Sequence, residues 1–558
     1  MKLTLSKALL AGLGLAWLVP NHYPPWLSAW SDGLALALVA LAAILARGEG
    51  RVARPWLALV SIAIVMVVAQ WIFGSVAFAG DPIVTVLYLG LLLAAISLGA
   101  TLKPETPDES PYALVMLTVG LVAGACASVA IALVQWTGSV SLGLWGIDLA
   151  PGGRPYGNVG QPNHLSTICF IGLCGVGLLR QTGRIGAFGF WAGACWLLAG
   201  AVMTGSRTGW LQLSFVLLVI AAGSGRYRLT LGRRAAALLG LIFIGMFLAW
   251  PWLNEVLLLS GGRPLEQMAE AGTRRLHWVA LADAVMREPL WGYGWQQVSA
   301  AQVRVADVHP FVGEHIEHAH NIILDLLLWN GVPVGGLLVG LAAWWFISRI
   351  VQGRHPLAAW LLMGVGCVFI HGLLEYPLEY AYFLLPVGVF IGAIDALEKR
   401  PSMVRVPVLG LRLAGVALGL LLGTVGADYL KAEESYRTIR LESARIGVPG
   451  MQTPPPDLRV LTQLDAFMRF IHTEARAGMT SEELEWMRRV SERFAYPPVM
   501  FRYALATGLN GQPDTAALTL KRLCRMHPLP RCEEAREAWS SAREKFPGLQ
   551  KVEAPALP

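Results

Sequence analysis

Between Glu314 and Asn330 the sequence reads EHIEHAHNIILDLLLWN, with histidines and glutamates crowding the start of an apolar run. His318, His320 and Asn321 stand where that run begins. A neutral imidazole, with an unperturbed pKa of about 6.5, can take a proton from an attacking hydroxyl, the usual general-base role. The rival chemistry is a zinc site, in which His318 and His320 would be joined by Glu314, His315 or Glu317. The H-x-H spacing argues against it, because residues two apart at a helix start do not share a face as an i, i+4 pair would. A third reading is a set of interfacial histidines with no chemistry at all.

Arginines form the second group. Arg154 lies in PGGRPYGNVGQPNHLS, Arg207 in TGSRTGW between two apolar runs, and Arg274 and Arg275 in the long connection 253–319. A guanidinium is a planar fork of donors suited to phosphate oxygens, so arginines converging on one side of a membrane suggest a polyanionic ligand such as a lipid diphosphate. Each could instead snorkel to lipid headgroups. Arg207 resists that reading, since its short connection leaves it little room to move.

The elements that must position these residues are membrane helices. Of 558 residues, 55% are hydrophobic and 15% charged, where a soluble chain carries about 25% charge. Crossing the hydrocarbon core takes about 20 apolar residues. About thirteen stretches qualify, near 5–20, 33–46, 56–79, 82–101, 111–136, 162–179, 186–203, 209–224, 235–252, 320–348, 357–374, 381–397 and 408–427. No small-residue cleavage site follows the first, which is therefore expected to stay as an anchor.

The net charge of +7 is no sign of a nucleic-acid partner, because Lys and Arg cluster in short connections between apolar runs. Alternate connections hold them: Lys2 and Lys7; Arg47, Arg51 and Arg54; Lys103; Arg180 and Arg184; Arg226, Arg228, Arg233 and Arg234; Arg349 and Arg354; Lys399, Arg400 and Arg405. The positive-inside rule makes these cytoplasmic. The N-terminus is then inside, and Arg154, Arg207, the 253–319 connection, His318 and His320 face outward with everything after Asp428.

The expected organisation is a membrane domain over 1–427 and an outer helical domain over 428–558. In the tail, MTSEELEWMRRVSERF offers Thr480 or Ser481 as an N-cap, and 497–528 has the spacing of a helical hairpin resembling one tetratricopeptide unit. There is no CxxC pair. Cys126, Cys169, Cys174, Cys195 and Cys367 lie in apolar runs and read as small core residues. Cys524 and Cys532 lie in the tail, where an oxidising compartment would permit a disulfide and spacing alone does not settle it.

HAHN leading into an apolar helix, SRTGW, and TRRLHWVALADAVMREPLWGYGW resemble the outer-side motifs of the O-antigen ligase and polymerase superfamily. PNHYPPW (Pro20 to Trp26), RPYGNVGQPNHLS (Arg154 to Ser166) and HGLLEYPLEYAYF (His371 to Phe383) resemble the bacterial protein O-oligosaccharyltransferases of the PglL type. The resemblance implies an all-α polytopic membrane protein, GT-C-like, with a helical periplasmic C-terminal domain.

It further implies an inverting, metal-independent and cofactor-free transfer from an undecaprenyl-diphosphate-linked glycan to Ser or Thr of a periplasmic or secreted protein such as pilin, at the periplasmic face of the bacterial inner membrane. In that mechanism His320 is the base, with His318 and Glu375 orienting the base or the acceptor. Arg207 and Arg274, with Arg275 and Arg154 as further candidates, bind the diphosphate. Gln161, Asn163, His164 and Asn321 position the substrates. The family pattern sets a catalytic His before Asn and, further on, a Gly, here His320, Asn321 and Gly331. Val334 departs from the small residue expected three places later, which weakens assignment as a lipopolysaccharide ligase more than as a protein glycosyltransferase. The alternatives are an O-antigen ligase or polymerase with the same chemistry, and a lipid-linked sugar transporter, against which stands the gathering of polar residues on one side rather than at the midplane.

Overall fold

The computed structural model describes residues 4–103, 111–150, 152–257, 259, 273–399, 403–443 and 454–557. Part of the expected outer connection 253–319 therefore lies outside the described residues, as do Lys2 and Arg400.

In lipid, a backbone must satisfy its polar groups internally, and the helix does so within one segment. Each apolar stretch is accordingly helical: α1 (Leu5–Ala11) running into a 3-10 turn Gly12–Leu18, α2 (Ala29–Ile44), α3 (Arg54–Ile72), α4 (Gly80–Gly99), α5 (Tyr112–Thr137), α6 (Pro162–Gln181), α7 (Ala187–Met203), α8 (Arg207–Tyr227) and α9 (Arg233–Val256). After α10 (Arg274–Arg287) and α11 (Val298–Val305) come α12 (Ile322–Gln352), α13 (Pro356–Gly372), α14 (Ala381–Leu397) and α15 (Val408–Ser443). Among the described residues, eight helices are long and apolar enough to cross a membrane, and the remaining apolar ones, Leu5–Leu18 among them, are shorter. The protein is an all-α polytopic membrane protein; among the described residues the only strands are β1 (Gly50–Ala53) and β2 (Met403–Val406).

The described residues group into two compact units: 1–62, 87–270 and 341–423, and 63–86, 271–340 and 424–558. In the first, α6 packs against α5, α7 and α13, and α14 against α2 and α13. Its basic connections meet one another. β1 and β2 pair antiparallel with Arg51 opposite Arg405, Gln181 bonds the backbone of Arg228 and Thr230, and Glu398 accepts the amides of Arg354 and His355. Segments expected on the other side also meet: Nε2 of His22 lies 2.6 Å from the Asn158 carbonyl, and Arg154 donates to the carbonyls of Thr204 and Gly205. The alternation of basic and non-basic connections thus separates the two ends of the helices. In the first unit a buried ion pair, Arg349 to Asp395 at 2.6 Å, is completed by the Trp345 indole, which meets the requirement that charge among apolar helices be paired.

The second unit holds the tail helices α16 (Thr462–His472), α17 (Ser481–Arg493), α18 (Pro497–Leu509), α19 (Pro513–Met526) and α20 (Leu529–Lys545). Thr480 caps α17 in a capping box with Glu483. The expected hairpin is α18 and α19, turning at Gly511, whose φ is +77°. Cys524 and Cys532 are joined by a disulfide and lie in an apolar cluster with Val303 and Ala306 of α11 and Met500 of α18.

Candidate active site

His320 sits at a junction in the second unit that other residues define. Its φ of +52° is left-handed, an uncommon conformation for a non-glycine residue that the surroundings must hold. On the N-terminal side, the Ala319 amide donates to the Asp325 carboxylate at 2.7 Å, and the Ala319 carbonyl accepts from the Trp278 indole at 2.9 Å. On the C-terminal side, the Asn321 carboxamide oxygen accepts from the amides of Ile323 and Leu324, capping α12. The peptide before His320 and the helix after it are both fixed, so the imidazole is presented from a rigid backbone. Asn321, expected to position substrate, is thereby seen as a helix cap.

The bond from Trp278 also ties α10, led by Arg274 and Arg275, to the histidine loop. His277 on α10 lies 3.2 Å from Glu314, which also accepts from Thr273. Those contacts, His277's first, hold the Glu314 carboxyl down to about 2. Arg274 is half-buried and Arg275 exposed. Burial, with help from the charges of His320 and Arg493 and against that of Glu317, pushes the His318 imidazole down to about 4, so it is neutral at working pH. Among the described residues, no three His, Cys, Asp or Glu side chains come together in a way that could hold a metal ion.

The glycine after Asn330 has a steric reason. α12 is broken at Gly331 (φ +71°, ψ 174°), and WGYGW crosses the break. Val332 donates to the Pro289 carbonyl, and Tyr293 and Gly294 donate to the carbonyls of Leu328 and Trp329, while Gln70 donates to Trp329 and the Trp295 indole to Asn330. These bonds satisfy groups that the broken helix releases. A Cβ at Gly331 would lie 2.5 Å from the Leu290 backbone.

The remaining candidates lie in the first unit. Asn163, in the first turn of α6, donates to the Glu375 carboxylate at 3.0 Å and accepts from the Ser206 hydroxyl at 2.7 Å. Ser206 is the residue before α8, so the chain from Glu375 through Asn163 ends beside Arg207, which is half-buried at the helix start. Arg154 grips the same turn through Thr204 and Gly205. Glu375, Asn163, Arg154 and Arg207 therefore converge, with Gln161 at the N-cap of α6.

His164 differs from its neighbours. It is 2% exposed, bonded to the Tyr382 hydroxyl and boxed by Tyr380, Phe383 and His371, so its side chain is enclosed by aromatic rings. His371 continues inward to Thr167 and Gln212. Asp325, Asp81 and Trp278 were not among the candidates read from the sequence. An acidic residue inside or at the edge of an apolar run was the available signal for the first two.

A histidine loop thus opens onto a broken helix and is bonded to the helix led by Arg274. Residues 192–340 match the family described as O-Antigen ligase, and residues 357–542 match virulence factor membrane-bound polymerase, C-terminal. The chain is 30% identical over 525 residues to a general O-oligosaccharyltransferase of Acinetobacter baylyi, covering 92% of this chain and 91% of the relative. It is 28% identical over 253 residues, 45% of this chain and 46% of the relative, to a ComP-specific O-oligosaccharyltransferase of the same organism. The chain belongs to the bacterial protein O-oligosaccharyltransferases of the PglL type, within the O-antigen ligase and polymerase superfamily.

Proposed function

We propose that the protein transfers a preassembled glycan en bloc from undecaprenyl diphosphate to Ser or Thr hydroxyls of periplasmic or secreted proteins, pilins among them. The reaction takes place at the periplasmic face of the inner membrane, where 428–558 forms a helical, tetratricopeptide-like domain. His320 accepts the proton of the acceptor hydroxyl as its oxygen attacks the anomeric carbon. The bond from that carbon to the diphosphate breaks with inversion, the diphosphate leaves with the electron pair, and the imidazolium releases its proton to solvent. Arg207 and Arg274 bind the phosphate oxygens and stabilise the charge growing on them; Arg154 braces the turn that carries Arg207. Glu375, through Asn163 and Ser206, orients the same turn. No metal or cofactor takes part in this scheme.

The observation that carries this reading is the fixed, left-handed backbone of His320, gripped by Asp325 and Trp278 on the loop bonded to the helix of Arg274. Matches to the ligase and polymerase families favour one second reading, transfer to lipid A-core or to a growing chain. Mass spectrometry of periplasmic and secreted proteins from cells with and without the gene product separates the two. Glycopeptides modified at Ser or Thr that vanish with the gene support protein glycosylation. Unchanged glycopeptides with altered lipopolysaccharide support the second reading.

A further inference from the structure

The loop carrying the base has no helix or strand of its own between Pro310 and His320. Its shape is set by what grips it. Gln302 of α11 bonds both the Glu314 carbonyl and the Ile316 amide. Further grips come from far along the chain. Tyr496, between α17 and α18, donates its hydroxyl to Glu317 at 2.6 Å. Arg493, the last residue of α17, forms a two-pronged pair with Asp81 at 3.0 and 3.1 Å, and its charge also acts on Glu317. Asp81 is 3% exposed, and the Arg493 side chain only 13%. This is a sheltered ion pair with the parallel geometry that makes Arg–carboxylate bonds strong and directional.

We propose that Arg493 and Tyr496 are positioning residues for catalysis, through which the C-terminal helices fix the segment His318-Ala319-His320 by holding Glu317. It rests on the reading of His320 as the base. Glu317 is three residues from His320 with only His318 and Ala319 between them, so a displacement at Glu317 strains the short peptide that Asp325 and Trp278 hold beside His320. The sign of the local field supports the role. Desolvation by its neighbours pushes the carboxyl of Glu317 up, but Arg493, the Tyr496 hydroxyl, His315 and His318 together hold it below its ordinary value, leaving a charged acceptor for the phenol. The C-terminal domain is on this account part of the enzyme's active geometry as well as its outer body.

The test uses the full-length protein in lipid vesicles with a lipid-linked glycan donor and a protein acceptor, comparing Tyr496→Phe, Glu317→Gln, the double variant and His320→Ala. Tyr496→Phe removes one oxygen and leaves the packing. Tyr496→Phe and Glu317→Gln are each expected to lower kcat about tenfold or more, since small misplacements of a catalytic group are costly, with donor KM and melting temperature unchanged. The double variant is expected to be no worse than the poorer single, because both act through one bond. Parent-like kcat in both single variants, multiplying losses in the double, or losses accounted for by unfolded protein would each overturn the proposal. If His320→Ala is inactive while Tyr496→Phe and Glu317→Gln are normal, the positioning role alone fails. If His320→Ala remains active, the base itself is wrong and this proposal falls with it.

Discussion

The Asp325 carboxylate accepts the Ala319 amide at 2.7 Å, tying the residue before His320 to the first turn of the helix that follows it. Asp325 is fully buried. Removing an acceptor from a buried donor costs about 1–3 kcal/mol, and here the cost falls on the backbone next to His320. Asp325→Ala should therefore lower glycan transfer per folded molecule, while Asp325→Asn, which keeps a side-chain oxygen in place, should retain more of it. Steady-state rates normalised to folded protein check this; equal rates for Asp325→Ala and the parent would dismiss the tie.

Gly331 occupies a left-handed position against the backbone of Pro289 and Leu290. An added Cβ meets both the conformational cost and a clash with main chain that has no rotamer to shift. Gly331→Ala is expected to reduce the yield and melting temperature of the protein, and Gly336→Ala, where a Cβ meets nothing within 4 Å, to leave both unchanged. Indistinguishable melting curves for the two variants would contradict the packing described at the break.

Acid should loosen the second unit in a definite window. Burial holds His318 and His527 down to about 4, against about 6.5 in the unfolded chain. The unfolded state binds more protons between those values, so their contribution to stability is complete above pH 6.5 and is lost as pH falls toward 4. Glu314 and Glu485, held down to about 2, add a loss that begins only below about 4.5. Melting temperatures should be level from pH 7 upward and fall between 6.5 and 4.5. A midpoint that holds or rises across that interval would rule out neutral His318 and His527 in the folded protein.

The membrane helices were legible because apolar length is a local property, and the basic connections fixed which ends go together. The left-handed turn at His320 was not, since nothing local distinguishes it from an ordinary helix entry. Asp81 and Arg493 are separated by 412 positions, and a single sequence holds no trace of such a pairing. Cys524 and Cys532 were visible as a pair but not as a bond, because their meeting depends on how the chain turns between α19 and α20. His164 stood in the same motif as Asn163, yet the next position around a helix points elsewhere, into the aromatic box rather than toward Ser206.

The arginines divide by chemistry. A fork that clamps a diphosphate loses its parallel donors on replacement by an ammonium, whereas a guanidinium that only seeks headgroups does not. Arg207→Lys and Arg274→Lys are expected to lose about 2–4 kcal/mol of transition-state stabilisation, the scale of one oxyanion donor. Arg226→Lys, at the other end of α8, should change nothing. If Arg275→Lys fails and Arg274→Lys does not, the clamp is one residue further along α10. Parent-like transfer in both Arg207→Lys and Arg274→Lys would mean the donor binds elsewhere.

The general-base role of His320 is tested most directly by measuring glycan transfer and donor binding side by side in His320→Ala. If His320 is the base, its loss removes an interaction made in the transition state and leaves the proposed diphosphate contacts intact. Transfer to the protein acceptor should be abolished while the lipid-linked donor binds with the parent's affinity. Transfer near the parent's rate in His320→Ala would contradict it.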